Sequence, residues 1–287
     1  MIRPPVELSI ELFPPKTEKG RDGLWPEVTK LAALRPSFVS VTCGASGTDT
    51  DRTAPLIEAL AARFAMPLAA HLTCAGADRE DVRRLAERYW QGGVRRIVAL
   101  RGDMPRLARY RPRADGHANA AALVTALKRL APFHISVAGY PECHPESADQ
   151  TADLDNLKAK VDAGADQILP QYCFDADQVL RFRDAVRARG IEVPIGVGII
   201  PIHDFPAIRR FSESCGATIP PWLAHAFAGL EDQPDMANIV AAGVAADHAR
   251  RLIEGGIHHL HFYALNRSRL TLATMRILAA DQAGQAA

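Results

Sequence analysis

Most of the features that assign a chain to a class at sight are missing here. The five cysteines form no CxxC pair and are odd in number, which argues against a disulfide framework. No HExxH run is present either, so the usual zinc spacings are absent. No apolar stretch approaches the about 18 residues that a membrane-crossing helix needs. Glu7 and Glu11 interrupt the opening segment before a secretory signal core can form. Net charge is almost nil: 34 Lys and Arg against 33 Asp and Glu leave +1, so bulk charge gives no case for nucleic acid or a membrane surface. A reduced, cytoplasmic protein with neither kind of partner is expected.

What is present is a rhythm. The 287 residues, 48% of them hydrophobic, are enough to bury a core without disulfides or a structural metal. Short apolar runs at 6–13, 38–44, 68–74, 96–101, 134–140, 167–171, 193–200 and 258–265 read as parallel strands buried on both faces. Amphipathic segments separate them. Asp78 is a candidate N-cap, after which Val82, Leu85, Ala86 and Tyr89 share one helical face. Glycines at Gly92-Gly93, Gly164, Gly190 and Gly255-Gly256 stand where helices should stop before a strand. Eight such units predict an α/β chain folded as one (β/α)8 (TIM) barrel over 1–287. The break at Ile219-Pro220-Pro221-Trp222 predicts an elaborated segment between the seventh and eighth strands. An open doubly wound sheet is the rival, but no GxGxxG follows the first strand, and Gly196-x-Gly198 is too little.

Side chains alternate along a strand, so parity sorts each run into two faces. The faces predicted to point into the barrel carry Ser9, Glu11 and Phe13, Ser40 and Thr42, His71 and Thr73, and Arg101 and Asp103. Tyr140 and Glu142, Gln167 and Gln171, and His259, His261 and Tyr263 complete the set. Barrel interiors are normally filled by branched apolar residues. One this polar needs a hydrogen-bond network or a ligand, because an unpaired buried polar group costs about 1–3 kcal/mol. Glu11 is the sharpest candidate. Burial in an apolar strand should raise its pKa and suit it to act as a general acid, while pairing with an interior Arg or His would make it structural. Arg101-Gly102-Asp103 ends a strand, with glycine permitting close approach by a ligand. The loop Tyr140-Pro141-Glu142-Cys143-His144-Pro145-Glu146 reads as a rigid binding loop or, with His71 and Cys74, as part of a metal site. Without the usual zinc spacings, the reading adopted is no metal.

Taken together, certain segments resemble the methylenetetrahydrofolate reductase family of the bacterial type. They are Ile10-Glu11-Leu12-Phe13-Pro14-Pro15-Lys16-Thr17, Val39-Ser40-Val41-Thr42-Cys43-Gly44-Ala45 and His71-Leu72-Thr73-Cys74. Next come Ile97-Val98-Ala99-Leu100-Arg101-Gly102-Asp103 and Ser136-Val137-Ala138-Gly139-Tyr140-Pro141-Glu142-Cys143-His144-Pro145-Glu146. Lys160-Val161-Asp162-Ala163-Gly164-Ala165 and His261-Phe262-Tyr263-Ala264-Leu265-Asn266-Arg267 complete the set. The resemblance implies a flavoprotein that reduces 5,10-methylenetetrahydrofolate to 5-methyltetrahydrofolate and so supplies methyl groups for methionine synthesis. It implies FAD as cofactor and NADH or NADPH as reductant, with hydride passing through flavin N5 in a ping-pong cycle.

By the same resemblance, Glu11 is the general acid that opens the folate five-membered ring, and Asp103 tunes the flavin and stabilises the developing cation. FAD contacts are implied at Thr42, His71, Arg101, Gly102, Asp103, Ala120, Tyr140, His144, Asp153, Asn156 and Lys160. Substrate contacts are implied at Glu11, Gln171, Phe205, Tyr263 and Arg267. Asn119 stands where the family often carries tyrosine, and Ala159 where some relatives carry a basic cofactor contact. A homo-oligomer is expected, as relatives form oligomers.

Overall fold

A computed structural model describes residues 6–43, 50–102 and 111–286. Eight parallel strands alternate with helices. The first half runs β1 (Glu7–Leu12), α1 (Glu18–Ala32), β2 (Phe38–Val41), α2 (Thr50–Arg63), β3 (Leu68–Thr73), α3 (Arg79–Gln91), β4 (Arg96–Leu100) and α4 (Ala120–Leu130). The second runs β5 (His134–Gly139), α5 (Gln150–Asp162), β6 (Gln167–Pro170), α6 (Ala176–Ala188) and β7 (Val197–Ile199). It ends with α7 (Phe205–Cys215), α8 (Pro221–Phe227), α9 (Pro234–Glu254), β8 (His259–Tyr263) and α10 (Arg269–Ala286). The predicted elaboration between β7 and β8 is therefore three helices, and the proline pair starts the middle one.

The sheet order β6-β5-β4-β3-β2-β1-β8-β7 brings the first and last strands together, as a barrel requires. The β6–β7 seam is closed by one bridge, Ile168 to Ile195. There the Ile168 N–H donates to the Pro194 carbonyl and the Gly196 N–H to the Ile168 carbonyl, each at 2.9 Å. The eight strand–helix units make this a (β/α)8 fold. Among the described residues no helix is long and apolar enough to cross a membrane.

Parity assigns the outer wall correctly in most strands. Ile10, Leu12, Val39, Val41, Leu72, Ile97, Ile135, Val137, Leu260 and Phe262 are buried in the cluster between sheet and helices. Fully burying each of the larger side chains contributes about 1.5–3 kcal/mol. Local signals start and stop the helices. Asp78 caps α3 by accepting from the Asp81 N–H at 2.7 Å, and Asp149 caps α5 in the same way. Where helix stops at glycine were predicted, Gly93, Gly164, Gly190 and Gly256 adopt positive φ.

The strand predicted over 193–200 shrinks to three residues, and Gly196 and Gly198 take on a different meaning. A Cβ on Gly198 would lie 2.5 Å from Tyr263 Cε2 and 2.9 Å from the Pro170 carbonyl. Glycine here makes room for a β8 ring to cross the barrel, so the pair is a packing feature with no bearing on dinucleotides.

Candidate active site

A cavity of about 880 Å³ opens at the C-terminal ends of the strands, within the size range of small-molecule sites. On one side its floor is made by strand interiors. Register places Glu11 beside Ser40 of β2 and Tyr263 of β8, so β1, β2 and β8 converge on one carboxyl group. Glu11 Oε2 lies 3.1 Å from His71 Nε2 and 3.5 Å from His261 Nε2, and its side chain is only 17% exposed. Neither contact has the linear alignment of a strong hydrogen bond.

The expected rise in the Glu11 pKa is overturned. Burial does push the carboxyl up, but the charge of His71 and hydrogen bonding from His261 and His71 outweigh it and bring it to about 2. Of the two sequence readings, pairing with an interior imidazole is the one that forms, with His71 and His261 both at one oxygen. Tyr263 stands over this cluster with its hydroxyl donating to the Pro170 carbonyl at 3.0 Å and its ring edge-on to His261. Burial, followed by the Glu11 charge, holds its phenol well above the ordinary range.

The opposite side is cationic. Lys160, 5% exposed, reaches in from α5 and donates to the Ala138 carbonyl at 2.6 Å. Among the described residues no carboxylate lies within ion-pair distance of it, and burial lowers its ammonium to about 8. Arg101 points into the same region, forming a two-pronged pair with Glu146 at 2.6 and 3.1 Å. The His144 imidazole packs edge-on against Tyr140, and burial and then the Arg101 charge lower its pKa. Asn156, Thr42, Gly102 and Ala120 also line the cavity.

Arg101 reaches the cavity as predicted, but strand parity is not the reason. In β4 it is Val98 that faces inward, against Phe38, Ala69 and Leu169, with Leu100 beside them, while Ile97 and Ala99 face the helices. Arg101 reaches the cavity because the strand ends at Leu100 and the chain turns at Gly102, φ +87°. A Cβ there would crowd Thr73 Cβ at 3.0 Å and Ala75 Cβ at 3.1 Å.

Other predicted residues fall in different places. Gln171 lines the cavity, with its Oε1 accepting from the Tyr172 N–H at 3.0 Å. Asp153 sits behind the wall, buried and accepting from Ser147 Oγ at 3.1 Å. Phe205 does not line the cavity, since its ring stacks on Phe227 with centroids 4.8 Å apart. Phe211, one turn and a half further along α7, presents its ring there instead and stacks with Tyr172. Arg267 is exposed outside the lining, where its charge helps burial to lower the His203 imidazole to about 4. Asp103 lies outside the described residues.

The metal set does not assemble. Glu142 accepts from the Thr218 N–H at 3.0 Å, away from the cavity, whereas His71 faces Glu11. Among the described residues no three His, Cys, Asp or Glu side chains gather in a metal-holding group.

Sequence reasoning also missed Asn266. Its amide accepts from the Phe13 N–H at 3.0 Å and donates to the Phe13 carbonyl at 2.8 Å, clasping the end of β1 to the end of β8. The left-handed backbone at Leu265 and Asn266, φ +50° and +57°, makes the clasp reachable. The Leu265-Asn266-Arg267 run was visible as a motif, but nothing in it named Phe13 as the partner.

The donor chemistry suits the flavin dinucleotide expected from the sequence. A buried ammonium whose partner among the described residues is a carbonyl, a guanidinium beside it and the small Gly102 and Ala120 together make a cationic cradle for phosphate oxygens.

In fold alone, the chain is similar to a dihydropteroate synthase from Xanthomonas albilineans solved with 7,8-dihydropteroate. That likeness has a TM-score of 0.54 at 17% identity, over 100% of this chain and 96% of that one. In sequence, it is 41% identical over 273 residues to the 5,10-methylenetetrahydrofolate reductases of Pectobacterium carotovorum subsp. carotovorum and Escherichia coli (strain K12). Each alignment covers 95% of this chain and 90% of the relative. A probable methylenetetrahydrofolate reductase (NADH) of Oryza sativa subsp. japonica is 32% identical, with 93% of this chain matching 47% of that protein. The family described as methylenetetrahydrofolate reductase matches residues 4–279, the span that contains both sides of the cavity. With that match and that identity, the chain belongs to the methylenetetrahydrofolate reductase family.

Proposed function

We propose that this protein reduces 5,10-methylenetetrahydrofolate to 5-methyltetrahydrofolate, with FAD as resident carrier and NADH or NADPH as reductant. The observation that supports this most is Glu11, a carboxyl group on the floor of a large cavity with one oxygen flanked by His71 and His261. Bound FAD supplies a hydride acceptor and donor, which lets reduced nicotinamide and folate use the cavity in turn.

The chain's own residues position and protonate. Lys160 and Arg101 hold phosphate oxygens, and His144, Asn156, Thr42, Gly102 and Ala120 shape the surrounding wall. Asp153 supports that wall through Ser147. Gln171 already receives one backbone N–H on its oxygen, which leaves its NH2 group as the donor it offers a pterin. Phe211 provides the aromatic face toward the ligand, while Phe205 fastens α7 to α8.

The low pKa of Glu11 directs the proton's route. His71 Nε2 stands 3.1 Å from Glu11 Oε2, within reach to hand it a proton, and that transfer removes the His71 charge that helps keep the carboxyl ionised. Burial then favours the neutral acid. Glu11 passes the proton to folate N10 as the five-membered ring opens. Asp103 is assigned the electrostatic support of the cation formed then.

An anaerobic visible titration tests this reading. The purified protein, supplied with FAD, should show flavin absorption that NADH or NADPH bleaches and methylenetetrahydrofolate restores. A protein that takes up no FAD, or whose reduced form ignores the folate, would overturn it.

A further inference from the structure

Behind Glu11 the barrel interior holds a continuous line of buried polar groups that the proposed chemistry does not itself use. Ser136 Oγ donates to Gln167 Oε1 at 3.0 Å, and Gln167 Nε2 lies 2.8 Å from His259 Nδ1. His259 Nε2 lies 2.7 Å from Ser9 Oγ, and Ser9 Oγ lies 2.7 Å from His261 Nδ1. His261 Nε2 then faces Glu11 Oε2 at 3.5 Å. All five residues behind the carboxyl are buried, Ser9 completely.

Such a line has a direction, because each member has limited donors and acceptors. An amide NH2 at Gln167 requires a bare Nδ1 on His259, which places the His259 proton on Nε2. That proton goes to Ser9 Oγ, and the single Ser9 hydroxyl proton goes to His261 Nδ1. His261, holding one proton, then carries it on Nε2, toward Glu11. Running the line backwards requires turning the Gln167 amide over. It would also set the bare Nε2 lone pair of a neutral His261 against a carboxylate. The Glu7 carboxylate approaches His259 Nδ1 at 3.6 Å, but the Gln167 amide is nearer at 2.8 Å and buried with it. Burial also keeps His259 neutral, its pKa lowered to about 3.

We propose that Ser136, Gln167, His259 and Ser9 form a one-way hydrogen-bond line that fixes His261 as the Nε2–H tautomer and keeps that N–H turned toward Glu11. Ser9, Gln167 and His259 are thus positioning residues for the acid. The inference rests on the reading of Glu11 given under the proposed function, but its first test does not need that reading.

The test is long-range ¹H–¹⁵N spectroscopy on the histidine-labelled protein, with His261 assigned by its loss in His261→Gln. The expected signature at neutral pH is a protonated Nε2 and an unprotonated Nδ1 on His261. An Nδ1–H tautomer or an imidazolium would overturn the proposal. Gln167→Glu, nearly the same shape, replaces the amide donor by a carboxylate that accepts. It should reverse the line and put a proton on His261 Nδ1; a spectrum with Nε2 alone still protonated would also overturn it.

In the flavin-loaded protein, Ser9→Ala should slow folate reduction about tenfold, one lost buried hydrogen bond. Flavin reduction by nicotinamide should stay within about twofold, as no group of that step is touched. An unchanged folate rate together with unchanged His261 signals would sink the positioning role. If Glu11→Gln also leaves folate reduction intact, the assignment of the acid fails, while the nitrogen signals still judge the line.

Discussion

Glu11, His71 and His261 project from the interiors of β1, β3 and β8. Arg101, His144 and Lys160 come to the same cavity from the loop after β4, a proline-framed loop after β5 and helix α5. The first group is held by strand register and by a buried polar line behind it. The second is held by charge, through the Arg101–Glu146 pair and an ammonium resting on a carbonyl. Proton transfer depends on ångström-level placement, and the sheet provides the stiffest frame available. Holding an anionic cofactor depends more on net positive charge, which loops and helices can deliver with less exact geometry.

The contrast predicts different failures on the two sides. The largest effect belongs to Glu11→Gln, which should slow folate reduction by about a hundred- to ten-thousandfold, the usual range for a lost acid. Flavin reduction by nicotinamide should persist, as stopped-flow traces of the two half-reactions would show. Equal loss of both steps would mean that the two sides are not separable.

On the cationic side, Lys160→Met should weaken FAD binding about thirty- to a thousandfold, as expected when one member of a buried charged hydrogen bond is removed. It should do so with little change in the folate rate at saturating FAD, measured by calorimetric titration and turnover. The Lys160 ammonium of the free protein is lowered to about 8, so FAD affinity should be full below that pH and decline as pH rises through it.

A third prediction concerns stability. His259, His203 and His248 are held neutral mainly by burial, at about 3, 4 and 4, against 6.5 when unfolded. Protons therefore bind the unfolded chain first, and stability should fall as pH drops below about 6.5. The depressed Glu11 pKa adds stability above 4.5 that is lost toward about 2, in the same direction. Urea midpoints between pH 7 and 4 should decline steadily, and a flat profile would refute the burial of these imidazoles.

Gly198→Ala should destabilise the protein by about 1–3 kcal/mol, as overpacking does, because the new methyl meets the Tyr263 ring and the Pro170 carbonyl. The smallest effects separate two aromatics on α7. Phe211→Leu should raise the folate KM a few-fold with little change in melting temperature, whereas Phe205→Leu should lower the melting temperature and spare KM. The opposite pattern would restore Phe205 as the ligand-facing ring.

How far the sequence could be read differs between the two sides in the same way. Period-2 alternation placed Ser9, Glu11, His71, Gln167, His259 and His261 inside, because within a strand the backbone leaves a side chain only two directions. That rule lapses where a strand ends. Arg101 lies one residue past β4, and its direction depends on the turn at Gly102. Phe205 and Phe211 belong to a helix whose roll is decided by what packs beneath it, so neither spacing nor aromatic character could say which ring would meet the cavity.

The amino-acid order by itself determined the alternation of eight strands with helices, the points where helices begin and stop, and the polar identity of the barrel interior. These are consequences of local periodicity and of caps within a few residues. The sign of the Glu11 pKa shift, the order of the buried line and the glycine gap for Tyr263 were settled only when the chain closed. Each depends on atoms brought within a few ångströms from distant parts of the sequence, as Ser9 and His261 are across 252 positions. Electrostatic and hydrogen-bond energies fall off over distances that local sequence does not encode.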